Sequence, residues 1–318
     1  MALLSLSGDE QRIIFTQLCN VLDPRVAVAL SGASLELWEL TQALLQQLRA
    51  DHEAAAALGL KAGMQTCREL REANTINWNL NGLTAADLAL LGKLGSVLPM
   101  VKTLHLYESV VGAAGLDGVQ RLVAGLGAGA LPSVTELYIG SIHVGNTGAS
   151  ALAAALVRGA LPRLEWLSLS STTIGDAGLV ALAPALRRLP ALESLILWGN
   201  PFGNEGLVAL VAPPPPADAP PPTTRGLTKL SMLDLDYTQV SDAGCAALAA
   251  SLDSGALPAL TELYLDGIPA SAAAKAAVRE ALARSPGWRR AFPARVPHAC
   301  CPHACFVRVF RLLGSERV

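Results

Sequence analysis

Along most of this chain a short burst of alternating apolar and polar residues is followed by a longer stretch whose apolar residues recur at helical spacing. In LPRLEWLSLSSTTIGDAGLVALAPALRR, Leu164, Leu167 and Leu169 fall on one side of an alternating segment and Trp166, Ser168 and Ser170 on the other. Period two predicts a half-buried strand. The Ala/Leu-rich run after Asp176 predicts a helix. The same phrase restarts at Leu98, Leu131, Leu161, Leu189, Leu227 and Leu257, roughly as L-P-x-L-x-x-L-x-L followed by a polar residue and Gly. Spacings of 28 to 38 residues leave room for one strand and one full helix per unit. Pro99, Pro132, Pro162, Pro190 and Pro258 lack an amide proton, which predicts that each helix ends there before the next strand starts.

Helix starts carry a second regularity. Asp176 precedes its apolar run, where a carboxylate can accept from unpaired amides of the first turn, and Asn146, Asn204, Asp242 and Ser271 fall at the same place in their units. Gly148, Gly178, Gly206 and Gly244 recur two residues later. Glycine lowers helix propensity, so its recurrence predicts close approach of the helix to its neighbour. Alanine dominates these helices, and small side chains let them pack close to the strands.

The unit resembles the ribonuclease-inhibitor-like class of leucine-rich repeats, through LEWLSL, LESLIL and LTELYL and the IGDAG block at Ile174 to Gly178, over residues 98 to 284. The resemblance implies an α/β solenoid, a parallel strand plus a helix per repeat, with about six full repeats stacked into a curved binding surface. That class usually places Asn or Cys at the turn after the strand. Here the place holds Asn200 once, Thr172 and Thr238, and Ile142 and Ile268, which implies a weaker turn ladder. A seventh, degenerate unit precedes the six. Ile76, Trp78 and Leu80 alternate with asparagines, and Thr84 with Asp87 has capping-box spacing.

Residues 6 to 52 do not repeat, and Ile13, Ile14, Leu18, Val26, Leu30, Leu37, Leu40, Leu44 and Leu48 follow helical spacing, predicting a small helical domain. Within it, Leu6, Asp9, Ile14-Phe15, Leu18, Asp23-Pro24, Ser34 and Trp38 resemble the F-box. Ser7 stands where that family usually has proline, four residues from Cys19 to Leu22 are extra, and Trp38 lies one residue further from Ser34 than usual. The resemblance implies a substrate receptor of a cullin-RING ubiquitin ligase, with Leu6, Ile14, Phe15, Leu18 and Pro24 docking the adaptor subunit. The other reading of the same helices is a cap that covers the open end of the solenoid. The expected organisation is therefore a helical domain at 1–73, a solenoid at 74–285 with a Pro-rich insertion at 212–226, and a basic tail at 286–318 that is poorly ordered or forms a C-terminal cap.

Residues flanking the strand leucines are expected to face solvent, so the binding surface can be read across repeats. One row is Thr103, Glu136, Trp166, Ser194, Met232 and Glu262. The next is His105, Tyr138, Ser168, Ile196, Asp234 and Tyr264, and the third Tyr107, Gly140, Ser170, Trp198, Asp236 and Asp266. Aromatics make up only 4% of the chain, yet all four tyrosines lie in or just after strands. Tyr and Trp bury large areas at interfaces. Tyr107, Tyr138, Trp166, Trp198, Met232, Asp234, Asp236, Tyr264 and Asp266 are the candidate partner-binding residues. Acid without Lys or Arg in these rows predicts a protein target that offers a basic segment.

Composition narrows the classes. A formal net charge of −2 gives no bulk reason to expect nucleic acid. Apolar runs are broken by Gly, Pro or charge before the ~18 residues a bilayer span needs, and MALLSLSGDE lacks a basic leader region. A monomer in the cytosol or nucleus, independent of membranes, is the expectation. Cys19, Cys67 and Cys245 are isolated and read as reduced thiols. His298, Cys300, Cys301, His303 and Cys305 are dense enough for zinc, but adjacent cysteines and no second ligand pair argue against a metal. PPPPADAPPP can form the extended helix that aromatic-lined domains bind, although a tolerated insertion is the simpler reading. No phosphate loop, nucleophile motif or metal-ligand helix appears, and no rim arginine carries a GTPase-activating motif. A non-enzymatic binder without cofactor follows, either a ligase receptor or a stand-alone scaffold or inhibitor-like protein.

Overall fold

The structure, a computed structural model, describes residues 7–108, 114–211 and 227–291. Leu6, the Pro-rich insertion and the Cys/His cluster from His298 to Cys305 lie outside the described residues. Four helices come first: α1 (Gly8–Leu18), α2 (Arg25–Ser31), α3 (Leu35–Lys61) and α4 (Cys67–Glu72). Strands and helices then alternate: β1 (Thr75–Asn77), α5 (Ala85–Leu94), β2 (Thr103–Tyr107), α6 (Gly118–Gly125), β3 (Glu136–Gly140), α7 (Gly145–Val157), β4 (Trp166–Ser170), α8 (Asp176–Leu186), β5 (Ser194–Ile196), α9 (Asn204–Val211), β6 (Met232–Asp234), α10 (Asp242–Asp253), β7 (Glu262–Tyr264), α11 (Ala272–Arg284) and the short α12 (Pro286–Ala291).

The seven strands form one parallel sheet in sequence order, so each unit stacks on the one before it. This is an α/β leucine-rich repeat solenoid with a helical N-terminal region. The degenerate seventh unit is present as β1 and α5. Ile76 pairs with Leu104, and Thr84 caps α5 in a reciprocal box with Asp87.

The core lies between sheet and helices. Leu137, Leu167, Leu195 and Leu233 align across the strands and are buried with the inward residues of α7 to α10. Each fully buried leucine is worth roughly 1.5–3 kcal/mol of transfer free energy, and repetition makes that core continuous along the array. At its N-terminal end the core is closed by α3. Ala55 and Leu58 join it, and the buried Trp78 indole N–H donates to the Leu58 carbonyl at 2.9 Å. At the other end α12 closes it. Arg290 donates to the Pro258 carbonyl at 3.0 Å, and Gly287 lies so close to Ala259 and Leu260 that a Cβ there would touch their backbone.

The expectation about punctuation changes. Helices stop before the prolines: α7 ends at Val157, several residues ahead of Pro162, and α8 even contains Pro184. The prolines therefore sit in the turn that enters the next strand. After six of the seven strands the chain leaves through a left-handed residue at one register position, namely Leu80, Ser141, Ser171, Gly199, Tyr237 and Gly267, and β2 is the exception. Only two of these are glycines, the residue that adopts this conformation without a Cβ penalty.

The helix-start acceptors also act differently from the in-place caps read from sequence. Asn146 Oδ1 accepts from the amides of Gly175 (2.8 Å) and Gly178 (3.1 Å), both at the start of the next helix. Asp176 accepts from Gly203 (2.9 Å) and Gly206 (2.6 Å). Asn204 accepts from Ser241 and Gly244, each at 3.0 Å, and Asp242 accepts from the Ser271 amide. From Asn146 to Asp242 each unit thus caps its successor. The recurring glycines make the room, since a Cβ at Gly178 would lie 2.7 Å from Asn146 Oδ1 and one at Gly244 2.5 Å from Asn204 Oδ1. Ser271 is one place out of register with the others. It caps its own α11 through the Ala274 amide at 3.2 Å, and Ala272 occupies the acceptor place.

Among the described residues no helix is long and apolar enough to cross a membrane. Cys19, Cys67 and Cys245 are free thiols.

Candidate functional site

Sheet register assigns every strand side chain to one face. Leu104, Leu137, Leu167, Leu195, Leu233 and Leu263 align toward the helices. The residues between them align on the opposite, open face: Thr103, Glu136, Trp166, Ser194, Met232 and Glu262 in one row, and His105, Tyr138, Ser168, Ile196, Asp234 and Tyr264 in the next. Beyond the ends of β5, β6 and β7, backbone bonds from Gly199 N to Asp236 O and from Tyr237 N to Asp266 O carry the third row on through Trp198, Asp236 and Asp266. All nine candidate partner-binding residues therefore share this face.

The face has two chemically distinct halves. On β2 to β4 an aromatic row runs across the strands. His105 stacks on Tyr138 with ring centroids 4.5 Å apart and planes 9° apart, and Tyr138 meets Trp166 at 6.1 Å. Centroid spacings of this size are the favourable range for aromatic pairs. Tyr138 is anchored further by its hydroxyl, which donates to Glu136 Oε2 at 3.2 Å. Burial and the adjacent Glu136 charge push the Tyr138 hydroxyl pKa upward, and burial pushes His105 downward, so both rings are neutral near pH 7. Tyr107 spreads over Gly140, where a Cβ would lie 2.5 Å from its ring. Trp198 meets Tyr237 edge-on at 5.8 Å.

The acidic half occupies β6, β7 and the residues just beyond them. Asp234 is half-buried and Asp266 exposed. Asp236 departs from the solvent-facing expectation. It is 3% exposed, because its carboxylate turns along the sheet to accept from the Asp266 amide, while its own amide donates to Asp234 Oδ1 at 2.9 Å. Burial first, then the charge of Asp234, holds the Asp236 carboxyl up at about 7. Burial, with the Asp266 charge adding to it, holds Asp234 at about 6. Acid crowded into a half-dry site favours a cation.

The turn ladder survives mainly through one residue. Asn200, 1% exposed, accepts from Thr172 and Ile174 amides and donates to Leu169 and Leu197 carbonyls. Thr172 and Thr238 donate to the carbonyls three residues earlier, Leu169 and Leu235.

The adaptor-docking candidates divide. Phe15 is fully buried in a second core with Ala27, Leu45 and Leu48, so it holds the helices together and offers nothing to a partner. Ile14 and Pro24 are half-buried, and Leu18 is 38% exposed. The exposed large apolar residues of the unit's described part are Ile13, Leu18, Val26, Val28, Leu35, Trp38 and Leu60. Helical spacing in sequence predicted the helices that carry Ile13, Leu18 and Val26 without fixing which way these side chains face. They point outward because Gln11, Phe15 and Ala27 take the inward positions on α1 and α2.

No group of three or more His, Cys, Asp or Glu side chains is placed to hold a metal among the described residues. The sequence reading missed the buried, unpartnered polar atoms of the open face. His105 Nδ1, Trp166 Nε1 and Trp198 Nε1 belong to its rows, Asn79 Oδ1 lies just past β1, and none of the four has a hydrogen-bond partner.

The Leucine Rich repeat family matches residues 164–183, 189–211 and 226–249. The crystal structure of an internalin C2 from Listeria monocytogenes is similar over 71% of this chain and 88% of that one, with a TM-score of 0.39 and 19% identity. No curated protein matches the chain.

Proposed function

We propose that this chain of leucine-rich repeats is a non-enzymatic interaction protein whose open sheet binds a protein target through a basic segment. One observation carries the reading: the three outward rows join a stacked aromatic half to an acidic half and contain no Lys or Arg. Large rigid rings give contact area at little entropic cost, and the acids set orientation and partner choice. Replacing Tyr138, Trp166 and Trp198 together by Ala leaves the inward leucines untouched. The variant should keep its unfolding cooperativity and lose partner capture in affinity purification. Unchanged capture would place the binding site elsewhere.

The N-terminal unit supports a second element of the role. Its α1, α2 and the first half of α3 pack on a core of their own, while the second half of α3 closes the solenoid. The unit thus caps the array and still presents Ile13, Leu18, Val28, Leu35 and Trp38 outward. We read it as an F-box-like module docking a cullin-RING ligase adaptor, with the repeats holding the substrate. Co-purification of an adaptor that is lost on Leu18→Asp supports this receptor reading. Its absence leaves a stand-alone scaffold or inhibitor-like binder.

A further inference from the structure

We propose that Asn81 and Gly82 form a self-modifying site. The Gly82 amide closes on the Asn81 side chain, and the isoaspartate that results loosens the joint between the N-terminal helices and the solenoid.

The chain has eight asparagines, and only Asn81 is followed by glycine. Elsewhere the next residue is Val, Thr, Trp, Leu, Pro or Glu, whose side chain or ring hinders attack by its own nitrogen. Glycine has no Cβ to stand in the way. The repeat asparagines are also engaged, since Asn146 and Asn204 accept from helix-start amides and Asn200 is buried in its turn. Asn81 and Gly82 are both exposed. Among the described residues neither the Asn81 side chain nor the Gly82 amide has a hydrogen-bond partner, so the nucleophile and its target are both free. Asn81 lines an open cavity with Lys61, Ala62 and Asn79, which gives water access to it.

In the first step the Gly82 nitrogen gives its proton to hydroxide and bonds to Asn81 Cγ, and the side-chain amide leaves as ammonia. Water then opens the cyclic imide at either carbonyl, giving aspartate or isoaspartate. The balance is one water consumed and one ammonia released, with no oxidation or reduction.

The site lies where the two parts of the molecule meet. Lys61, the last residue of α3, donates to the Gly82 carbonyl at 3.0 Å and to Asp87 Oδ2 at 2.7 Å, tying the capping helix to the start of α5. The turn is anchored on both sides. The Leu80 amide donates to the Tyr107 carbonyl at 2.7 Å, and the Leu83 amide donates to Glu108 Oε1 at 2.8 Å. Isoaspartate adds a carbon to the main chain between these anchors, so the Gly82 carbonyl cannot keep its place under Lys61 while both hold. It also leaves a carboxylate in the cavity that Lys61 lines, a competitor with Asp87 for the same ammonium.

The test ages the full chain in warm, mildly alkaline buffer and follows it by peptide mass mapping and hydrogen exchange. Fragmentation should place an amide-to-acid change at residue 81 and leave Asn74, Asn77 and Asn79 intact, and an isoaspartate-specific methyltransferase should label the same residue. Asn81→Gln keeps the amide but must close a larger ring, and should abolish the change. In the aged chain the Leu83 amide and those of α5 should exchange faster than in the fresh chain, whereas the aged Asn81→Gln chain should match its fresh form. Modification of other asparagines ahead of Asn81 overturns the proposal. So does modification at residue 81 that leaves exchange at Leu83 and α5 unchanged.

Discussion

The carboxylate of Asp176 accepts from the amide of Gly206, 2.6 Å away and one full repeat further along the chain. The same oxygen takes the Gly203 amide at 2.9 Å, so two of the unpaired N–H groups at the start of α9 are satisfied by the preceding unit. A capping bond that crosses from one repeat to the next couples helix formation to stacking. This is the nearest-neighbour term on which solenoid stability depends.

Asp176→Ala should therefore cost about 1–2 kcal/mol, the scale of a lost helix cap, while Asp176→Asn keeps an acceptor and should cost less. Urea unfolding of the two variants gives the comparison. Equal losses would mean that the charge, and not the hydrogen bonds, provides the stabilisation.

Gly244→Ala attacks the same joint from the other side. The new methyl would meet Asn204 Oδ1 at 2.5 Å and Val240 Cγ1 at 2.7 Å, both packed against neighbours. Overpacking of this kind costs typically 1–3 kcal/mol, against a gain of at most about 1 kcal/mol from alanine's helix propensity. A fall in Tm is the expected outcome, and a rise would show that the joint is slack.

Ser141 holds a left-handed backbone, with φ of 52°, at the strand exit. Glycine occupies that place at Gly199 and Gly267. Ser141→Gly should stabilise the chain by roughly 0.5–1 kcal/mol, because relief of the Cβ conflict outweighs the extra freedom glycine gains on unfolding. Denaturant midpoints report the sign directly.

Asp236 gives the array a pH dependence. Its folded pKa of about 7 lies above the ordinary 3.8, so the folded chain binds the proton more tightly than the unfolded chain. Stability is greatest below about pH 4 at this site and declines as pH rises through 7. Asp234 and Asp266 oppose its ionisation, and Lys275 on α11 partly offsets them. Asp236→Asn should flatten the decline between about pH 4 and pH 7, a difference on the order of 1–3 kcal/mol at pH 8. The same titration predicts tighter capture of a basic peptide at pH 8 than at pH 5.5, measured at constant salt.

Phe15→Ala should destabilise the N-terminal helices by about 3–5 kcal/mol, the usual cost of emptying a buried aromatic site. Leu18→Asp, on an exposed position, should leave their helicity unchanged. Circular dichroism of both variants separates folding from docking. Loss of an adaptor in Leu18→Asp alone then reports a surface, and loss in Phe15→Ala reports only an unfolded unit.

What the residues disclosed in advance depended on whether the signal was local. Period-two alternation in six copies is enough to place Trp166 opposite Glu136 and Ser194, because register in a half-buried strand is fixed by which residues are apolar. Thr84 and Asp87 likewise disclosed α5, since a capping box is complete within one turn. The acceptor role of Asp176 was visible but its direction was not, because a bond to the next repeat leaves no mark within its own. The left-handed exits were hidden wherever Ser, Leu or Tyr stands in place of glycine. Burial of Asp236 depends on the turn its carboxylate makes toward the Asp266 amide, which alternation cannot encode. Phe15 matched a motif, yet packing against Ala27, Leu45 and Leu48 decided its fate.

The handing of a cap from each unit to the next makes the array directional, like a row of plugs and sockets. Asn146 begins the series, and the repeats of Asp176, Asn204 and Asp242 each contribute an acceptor at their own helix start and a glycine that receives their predecessor's. Ala272 offers no acceptor, and Ser271 takes over the bond to Ala274 for itself. Any repeat transplanted into the middle of this chain must carry both halves to keep two amides on one acceptor, whereas α11, with Ala274 at the glycine's place, gives Asp242 the Ser271 amide alone. A chain lengthened past α11 must first restore the acceptor that Ala272 withholds.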